Sequence, residues 1–295
     1  MSEGAARVVA HAKINLALRV LAREEGGFHT IETVFARIAL GDIVTVRGVA
    51  SGRSLECSGA DTGPVERNLA YRAALAFAGA TGWPGGFAIT IEKRIPVGGG
   101  LGGGSADAGA VLRALAALSP RPVPEHELLR IAAPLGSDVP FLTTNAALAI
   151  AWGRGERMLA LPSLPERDVA LVSPGFAVST AEAYSWLAAD AAERGGHPPV
   201  PRLLSLADFA TWDAIAPITG NDFEPTISGR HPEIARTIAA LRASGASIAR
   251  MTGSGSTLYG IYAARPDPAA LAHSLAGEVV MTHTLAALSP VEPIA

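Results

Sequence analysis

Residues 96–106 read Pro96-Val97-Gly98-Gly99-Gly100-Leu101-Gly102-Gly103-Gly104-Ser105-Ala106. Glycine fills six of the seven positions from 98 to 104, which leaves few side chains to keep an anion away from the backbone N–H groups. An alternation typical of a strand precedes this stretch over 87–91, and apolar residues at helical spacing follow it over 108–118. The glycines therefore lie between a strand and the amino end of a helix, where unpaired N–H donors and the helix dipole favour a polyphosphate.

Three better-known phosphate loops do not match this stretch. A P-loop requires Lys and then Ser or Thr after its last glycine, whereas Ser105-Ala106 follow Gly104. The dinucleotide fingerprint is matched in letters by Gly98, Gly100 and Gly103, but residues 119–124 lack the acidic residue that should end a second strand. The H-R-D and D-F-G motifs of protein kinases do not occur. A flexible linker is the remaining alternative, although linkers seldom separate a strand from a capped helix.

The composition excludes several classes of protein. Of the 295 residues, 49% are hydrophobic and 17% are charged, which is typical of a globular chain and not of a disordered one. The net charge of −3, with no run of Lys or Arg, predicts no nucleic-acid partner. The single cysteine, Cys57, cannot form an internal disulfide. No apolar run is long enough to cross a membrane and no signal pattern begins the chain, so we expect a cytoplasmic protein without a membrane partner.

The rest of the chain predicts two α+β lobes that meet near residues 155–165. We assign them to residues 1–160 and 161–295. Ser105 or Asp107 is expected to cap the helix after the glycines, and Ser119-Pro120 to end it. The other expected strands are 14–20, 43–46, 169–172, 248–251, 258–262 and 279–283, and the other expected helices are 68–80, 180–192, 232–244 and 268–275.

The glycine stretch resembles the second motif of the galactokinase, homoserine kinase, mevalonate kinase and phosphomevalonate kinase superfamily. Four further segments occur in the family's order over nearly the whole chain. They are Ala12-Lys13-Ile14-Asn15-Leu16, Gly27-Phe28-His29-Thr30, Gly136-Ser137-Asp138-Val139-Pro140-Phe141 and Thr252-Gly253-Ser254-Gly255. Within the superfamily the chain most resembles the kinases of the non-mevalonate isoprenoid pathway that phosphorylate a cytidine-diphosphate-linked sugar alcohol.

This resemblance implies a fold and a reaction. The N-terminal lobe would be of the ribosomal-protein-S5-domain-2-like α+β type and the C-terminal lobe a ferredoxin-like α/β sandwich, with the active site in the cleft between them. ATP would be the co-substrate, Mg²⁺ would accompany its phosphates, and the partner would be a small cytidine diphosphate sugar alcohol. We expect a monomer or a weak homodimer.

The resemblance also assigns catalytic residues. Asp138 matches the family's catalytic aspartate and Lys13 its partner lysine. A carboxylate near the acceptor hydroxyl can take its proton, and an ammonium beside it can neutralise developing charge. From the residues alone, a helix cap before Val139-Pro140 is the favoured role of Asp138, and Lys13 could be a solvated strand residue. The resemblance reverses the preference for Asp138.

Binding residues follow from the same match. Residues 96–106 would hold the phosphates, and Asn68 would lie near the adenine or cap the helix that it begins. Asn15 would touch the sugar-alcohol end of the acceptor, or it is a polar residue of an edge strand. Phe28 and His29 would hold the cytosine ring, and Tyr184 would complete the clamp or belong to the core.

Two departures from the family pattern concern the base clamp and the metal. Gly26-Gly27-Phe28-His29 stands where many relatives have Asp-Gly-Tyr-His, so any hydrogen bond from a phenol is lost. Gly103 and Gly104 replace the Ser pair with which broader superfamily members bind Mg²⁺. The metal ligand therefore stays open, with Ser105 as a candidate one position later.

Two other functions compete with this one. A superfamily kinase for homoserine or phosphomevalonate would have no use for the aromatic base clamp at Phe28-His29. A nucleotide-binding regulator without catalysis would have no need of both Lys13 and Asp138.

Overall fold

The computed structural model describes residues 4–23, 29–194 and 203–294, so Phe28 lies outside the described residues. The strands are β1 (Ala5–Arg23), β2 (His29–Val49), β3 (Arg53–Ser58), β4 (Gly86–Glu92), β5 (Leu148–Gly153), β6 (Arg157–Ala160), β7 (Asp168–Ser173), β8 (Gly220–Asn221), β9 (Ile248–Met251), β10 (Leu258–Tyr262), β11 (Glu278–His283) and β12 (Glu292–Ile294). The helices are α1 (Leu69–Thr81), α2 (Gly103–Leu118), α3 (Glu125–Ala132), α4 (Val139–Thr143), α5 (Thr180–Arg194), α6 (Trp212–Ile215), α7 (Phe223–Arg230), α8 (Pro232–Ala243) and α9 (Pro268–Ser274).

The first sheet is built on the long antiparallel pair of β1 and β2. Its main strand order is β12-β1-β2-β4-β3, while β5 pairs with β2 and β6, and the short β8 pairs with β1 in parallel. Register shifts occur between His11 and Lys13 and again between Asn15 and Ala17. Such irregularities re-aim side chains, and these two enclose the segment that carries Lys13 and Asn15. Ile14 and Leu16, which alternate with them, are fully buried in the core.

The second sheet has the order β11-β7-β10-β9, with antiparallel pairing throughout. Helix α8 places Ile234 and Leu241 in the core on this sheet, as its helical spacing predicts. The transition from the first sheet to the second falls between β6 and β7. Because β8 and β12 return to β1, the sheets do not divide the chain into two consecutive halves. The boundary at residue 160 stays a prediction.

The predicted elements are present, with one correction at the glycine stretch. Helix α2 has Gly102 at its N-cap, with φ of 73°, and Ser105 and Asp107 lie inside the helix. The prediction that Ser105 or Asp107 caps this helix is wrong, because Asp107 is directed at the ammonium of Lys93 and not at the helix end. None of the helices in the described ranges is both long and apolar enough to span a membrane.

A buried histidine on β1 makes folding sensitive to acid. Burial and the positive charges of Arg37 and Arg113 lower the pKa of His11 from 6.5 to about 4. Between pH 6.5 and pH 4 the histidine is protonated in the unfolded chain and neutral in the folded protein, so the free energy of unfolding decreases as the pH falls.

His11→Leu should remove up to about 3 kcal/mol of this loss in the free energy of unfolding between pH 7 and pH 4. Urea denaturation of the wild type and of His11→Leu at several pH values measures this difference. If the free energy of unfolding fell equally in both proteins, His11 would not be the cause of the acid sensitivity.

Candidate active site

Most of the predicted site residues that the structure describes line a cleft of about 640 Å³ between the two sheets. Ligand sites of about 300–1,000 Å³ are usual. Residues 96–105 line the cleft, together with Lys13, Asn15, Asn68, Asp138 and Tyr184. Ala106 is buried within α2 and His29 is not part of the lining. The turn of residues 253–255 forms one wall.

The glycine loop is fixed to the first sheet and leads into α2. Its one internal side chain, Leu101, is 1% exposed and anchors the loop in the core. The N–H of Lys13 donates to the carbonyl of Leu101 at 3.0 Å. At Gly102, with φ of 73°, an added Cβ would lie 3.2 Å from Cε of Lys13. The loop therefore brings the amino end of α2 next to the Lys13 side chain, where an anion meets both.

Lys13 and Asp138, the two predicted catalytic residues, are brought together. The Lys13 Nζ lies 3.3 Å from Oδ2 of Asp138. The same ammonium donates to Oδ1 of Asn15 at 2.7 Å and to the carbonyl of Gly100 at 2.9 Å. Asp138 occupies the N-cap position of α4, but its side chain makes no capping hydrogen bond. Its carboxylate is 26% exposed, so it stands between a buried cation and the open cleft.

Asn15 is engaged mainly by the protein itself. The residue is 2% exposed. Its Oδ1 accepts hydrogen bonds from Lys13 and from the N–H of Gly253 at 2.9 Å, and its Nδ2 donates to Oγ1 of Thr33 at 2.8 Å. These contacts make Asn15 a support for the ammonium of Lys13. Contact with the acceptor stays a prediction.

Sequence reasoning missed a buried ionic cluster beneath the loop. Lys93 donates to Oδ2 of Asp107 at 2.6 Å and to Asp42, and all three side chains are at most 3% exposed. Burial raises the pKa of Asp107 to about 7, although Lys93 opposes the rise. Burial opposes the charge on Lys93, but the attraction of Asp107 and Asp42 outweighs it and raises the pKa of the ammonium. The only available signal was a Lys five positions before the first glycine of the loop and an Asp three positions after the last.

Asn68 caps the helix that it begins and also borders the cleft. Its Oδ1 accepts from the N–H of Ala70 at 2.9 Å, which caps α1. Its Nδ2 points to Oγ1 of Thr62 at 3.3 Å, and Asn68 and Thr62 both line the cleft. The cap is therefore present, and a contact with the adenine stays a prediction.

The far end of the cleft is apolar and aromatic. Tyr184 is half-buried and stacks on His29, with ring centroids 4.1 Å apart and planes at 13°. Phe223 meets Tyr184 edge-on at 5.0 Å. Leu18, Ile31 and Val178 complete this end of the lining. Burial, and then the negative charge of Asp138, raise the pKa of the Tyr184 phenol, so this end favours a neutral ring.

Comparison with known proteins identifies the family. Residues 68–146 match the family described as GHMP kinases N terminal domain, and residues 203–279 match GHMP kinases C terminal. A protein of Parvibaculum lavamentivorans named 4-diphosphocytidyl-2-C-methyl-D-erythritol kinase is 40% identical over 264 residues, which is 88% of this chain and 89% of that protein. Its namesake in Moorella thermoacetica is 38% identical over 280 residues, which is 94% of this chain and 98% of that protein. The chain belongs to this family of GHMP kinases.

Solved structures agree with the assignment. A crystal structure of 4-(cytidine 5'-diphospho)-2C-methyl-D-erythritol kinase has a TM-score of 0.71 and 34% identity, and the match covers 94% of this chain and 98% of that one. Homoserine kinase from Cytophaga hutchinsonii, at a TM-score of 0.66 and 15% identity over 100% and 98% of the two chains, shares the fold. The predicted two-lobed α+β architecture is confirmed, and the chain is an ATP-dependent small-molecule kinase.

Proposed function

We propose that this kinase transfers the terminal phosphate of ATP to the 2-hydroxyl of 4-diphosphocytidyl-2-C-methyl-D-erythritol, a step in the non-mevalonate synthesis of isoprenoid precursors. The observation that carries the proposal is the Lys13–Asp138 pair, which lies 3.3 Å apart beside the glycine loop. The names of the relatives at 38–40% identity support this acceptor. A homoserine or mevalonate acceptor is supported only by a shared fold at 11–16% identity.

The reaction needs one proton acceptor and one compensating charge. As the acceptor oxygen forms its bond to the γ-phosphorus, the bond from that phosphorus to the leaving oxygen breaks and ADP departs. Asp138, whose carboxylate is partly exposed to the cleft, takes the hydroxyl proton. Lys13 stays beside it and offsets the negative charge that develops on the phosphoryl oxygens. Because Lys13 and Asp138 are both present and lie in contact, a nucleotide-binding regulator without catalysis is the weaker hypothesis.

The nucleotide is proposed to lie along residues 96–106 with its adenine near Asn68. The amino end of α2 supplies N–H donors for the phosphates. Mg²⁺ would neutralise charge on the phosphate oxygens. In the described ranges no group of three His, Cys, Asp or Glu side chains forms a cage for a metal. Ser105 and the buried Oδ1 of Asp107, which accepts no hydrogen bond, both belong to the cleft lining and fit as protein ligands.

The acceptor's base is proposed to bind at the aromatic end of the cleft. Because the rings of His29 and Tyr184 are only 4.1 Å apart, a base cannot enter between them. The cytosine would displace His29 from the face of Tyr184, so that the imidazole meets the edge of the base. Phe28 would close the other face. A monomer or weak homodimer and a cytoplasmic location stay predictions.

Phosphorus NMR tests the proposed reaction directly. The protein is incubated with Mg-ATP and 4-diphosphocytidyl-2-C-methyl-D-erythritol, and a new phosphomonoester signal at the 2-position is expected. Parallel incubations contain homoserine, phosphomevalonate or methylerythritol 4-phosphate without its cytidyl group. Equal turnover of the last compound would refute base recognition, and ATP binding without turnover of any acceptor would favour the regulator.

Loss of the Tyr184 ring should weaken acceptor binding selectively. Stacking of one base on an aromatic side chain contributes about 1–3 kcal/mol, so Tyr184→Ala should raise KM for the acceptor by about 10- to 100-fold. KM for ATP should change little. Tyr184→Phe is the matched control, since it keeps the stacking face and removes only the hydroxyl. Steady-state kinetics with each substrate varied separately measures the effect, and equal rises in both KM values would contradict a specific clamp.

A further inference from the structure

Asn221 is a buried residue outside the five matched segments, and it joins the two lobes beside the cleft. It is 4% exposed and lies on β8, where it pairs with Leu18 of β1. Its Nδ2 donates to the carbonyls of Met251 and Gly253, each at 2.8 Å. Its Oδ1 accepts from the N–H of Phe223 at 2.9 Å. The carboxamide therefore holds both ends of the segment 251–253, which runs from the last residue of β9 into the turn that follows it.

The segment held by Asn221 carries the groups that hold Asn15. The N–H of Gly253 donates to Oδ1 of Asn15 at 2.9 Å, and Oγ1 of Thr252 lies 3.2 Å from the same oxygen. The N–H of Asn15 in turn donates to Oγ1 of Thr252 at 3.1 Å. Thr252 is fully buried. Both residues of the turn thus converge on one carboxamide oxygen of the first lobe.

That oxygen is also the acceptor nearest to the Lys13 ammonium. Lys13 donates to Oδ1 of Asn15 at 2.7 Å and lies 3.3 Å from Asp138. A displaced turn would leave Oδ1 of Asn15 without two of its donors, and the carboxamide could then rotate away from Lys13. We propose that Asn221 is a positioning residue, which places the turn of Thr252 and Gly253 and, through Asn15, the ammonium of Lys13. This proposal rests on the function proposed above.

Asp222, the residue after Asn221, has other hydrogen-bond partners and therefore provides a control. Asp222 accepts from Nη1 of Arg19 at 2.8 Å and from the N–H of Val20 at 2.9 Å, on the part of β1 away from Lys13. Asp222 also ties the second lobe to β1, but none of its hydrogen bonds goes to Thr252 or Gly253. Asp222→Asn therefore weakens the attachment between lobes without releasing the turn.

The test separates positioning from general stability. Asn221→Ala should lower kcat by about 10- to 100-fold, since a misplacement of about 1 Å costs rates of this order. KM for ATP and for the acceptor should stay within about three-fold. Asn221→Ser, which keeps one donor, should lie between Asn221→Ala and the wild type and serves where the alanine variant folds poorly. Asp222→Asn should lower the melting temperature, whereas its kcat should stay within about two-fold of the wild type.

A double-variant cycle tests the route through Asn15. Because both residues act on the same ammonium, Asn15→Ala combined with Asn221→Ala should lose little more kcat than Asn15→Ala alone. Multiplied losses would overturn the route, and so would an Asn221→Ala variant that loses only thermal stability or raises both KM values. Wild-type turnover in the same assay keeps the two proposals apart, since its absence would refute the proposed reaction and not the positioning role.

Discussion

Asp138→Asn is expected to lower kcat by about 10²- to 10⁴-fold while the protein keeps its fold and its affinity for ATP. The carboxylate is the proposed proton acceptor, and loss of a positioned base usually has an effect of this size. The substitution is nearly isosteric at the start of α4. Lys13 would still donate to Asn15 and Gly100, so the ammonium should stay in place. Steady-state turnover, calorimetric ATP titration and thermal unfolding measure the three expectations.

Asp267→Asn is the matched control for this substitution. Asp267 is likewise an N-cap residue, before the Pro268 that begins α9, and it is not part of the cleft lining. Its Oδ1 accepts from the N–H of Ala269 at 2.9 Å, a role that Asn can keep. Turnover of this variant should equal that of the wild type. If Asp138→Asn also stayed within a few-fold of the wild type, its assignment as the general base would be wrong.

The features of this protein that could be predicted from its sequence are those that a local sequence pattern determines. A strand, a glycine run and a helix follow directly on one another over residues 86–118, and their order could be predicted because each signal lies within a few residues of the next. The cap of α2 could not be predicted in the same way. Ser105 and Asp107 have the residue types of caps, but Asp107 lies beside Lys93 in the fold, and that partner is a matter of packing.

Contacts between distant segments explain the rest of what the sequence did not show. The cluster beneath the loop joins Asp42, Lys93 and Asp107, which come from β2, the segment after β4, and α2. Strand β8 has only two residues and β12 only three, too few for any periodicity to appear. Asn221 was missed for this reason. Lys13 and Asp138 were paired through a family resemblance, since nothing in their own surroundings indicates a contact across 125 positions.

Among Gly→Ala substitutions in the glycine loop, Gly100→Ala should be the most destabilising. Gly100 has φ of 77°, and an added Cβ would lie 2.4 Å from the carbonyl oxygen of Thr252. Backbone strain of about 1–2 kcal/mol and overpacking of about 1–3 kcal/mol together predict a loss of about 2–5 kcal/mol in the free energy of unfolding. Because the carbonyl of Gly100 also accepts from Lys13, kcat should fall along with ATP affinity, and acceptor binding should suffer too.

Gly98→Ala separates the two causes, because Gly98 has nearly the same φ, 79°, but no atom within 4 Å of an added Cβ. This variant should lose only the strain of about 1–2 kcal/mol in unfolding free energy. Its new methyl points into open space at the cleft, so its effect on catalysis should appear as a higher KM for ATP with kcat nearly unchanged. Chemical denaturation and kinetics of both variants give the comparison. Equal losses of stability would show that backbone strain alone constrains the loop, and that its contact with the Thr252 turn contributes nothing.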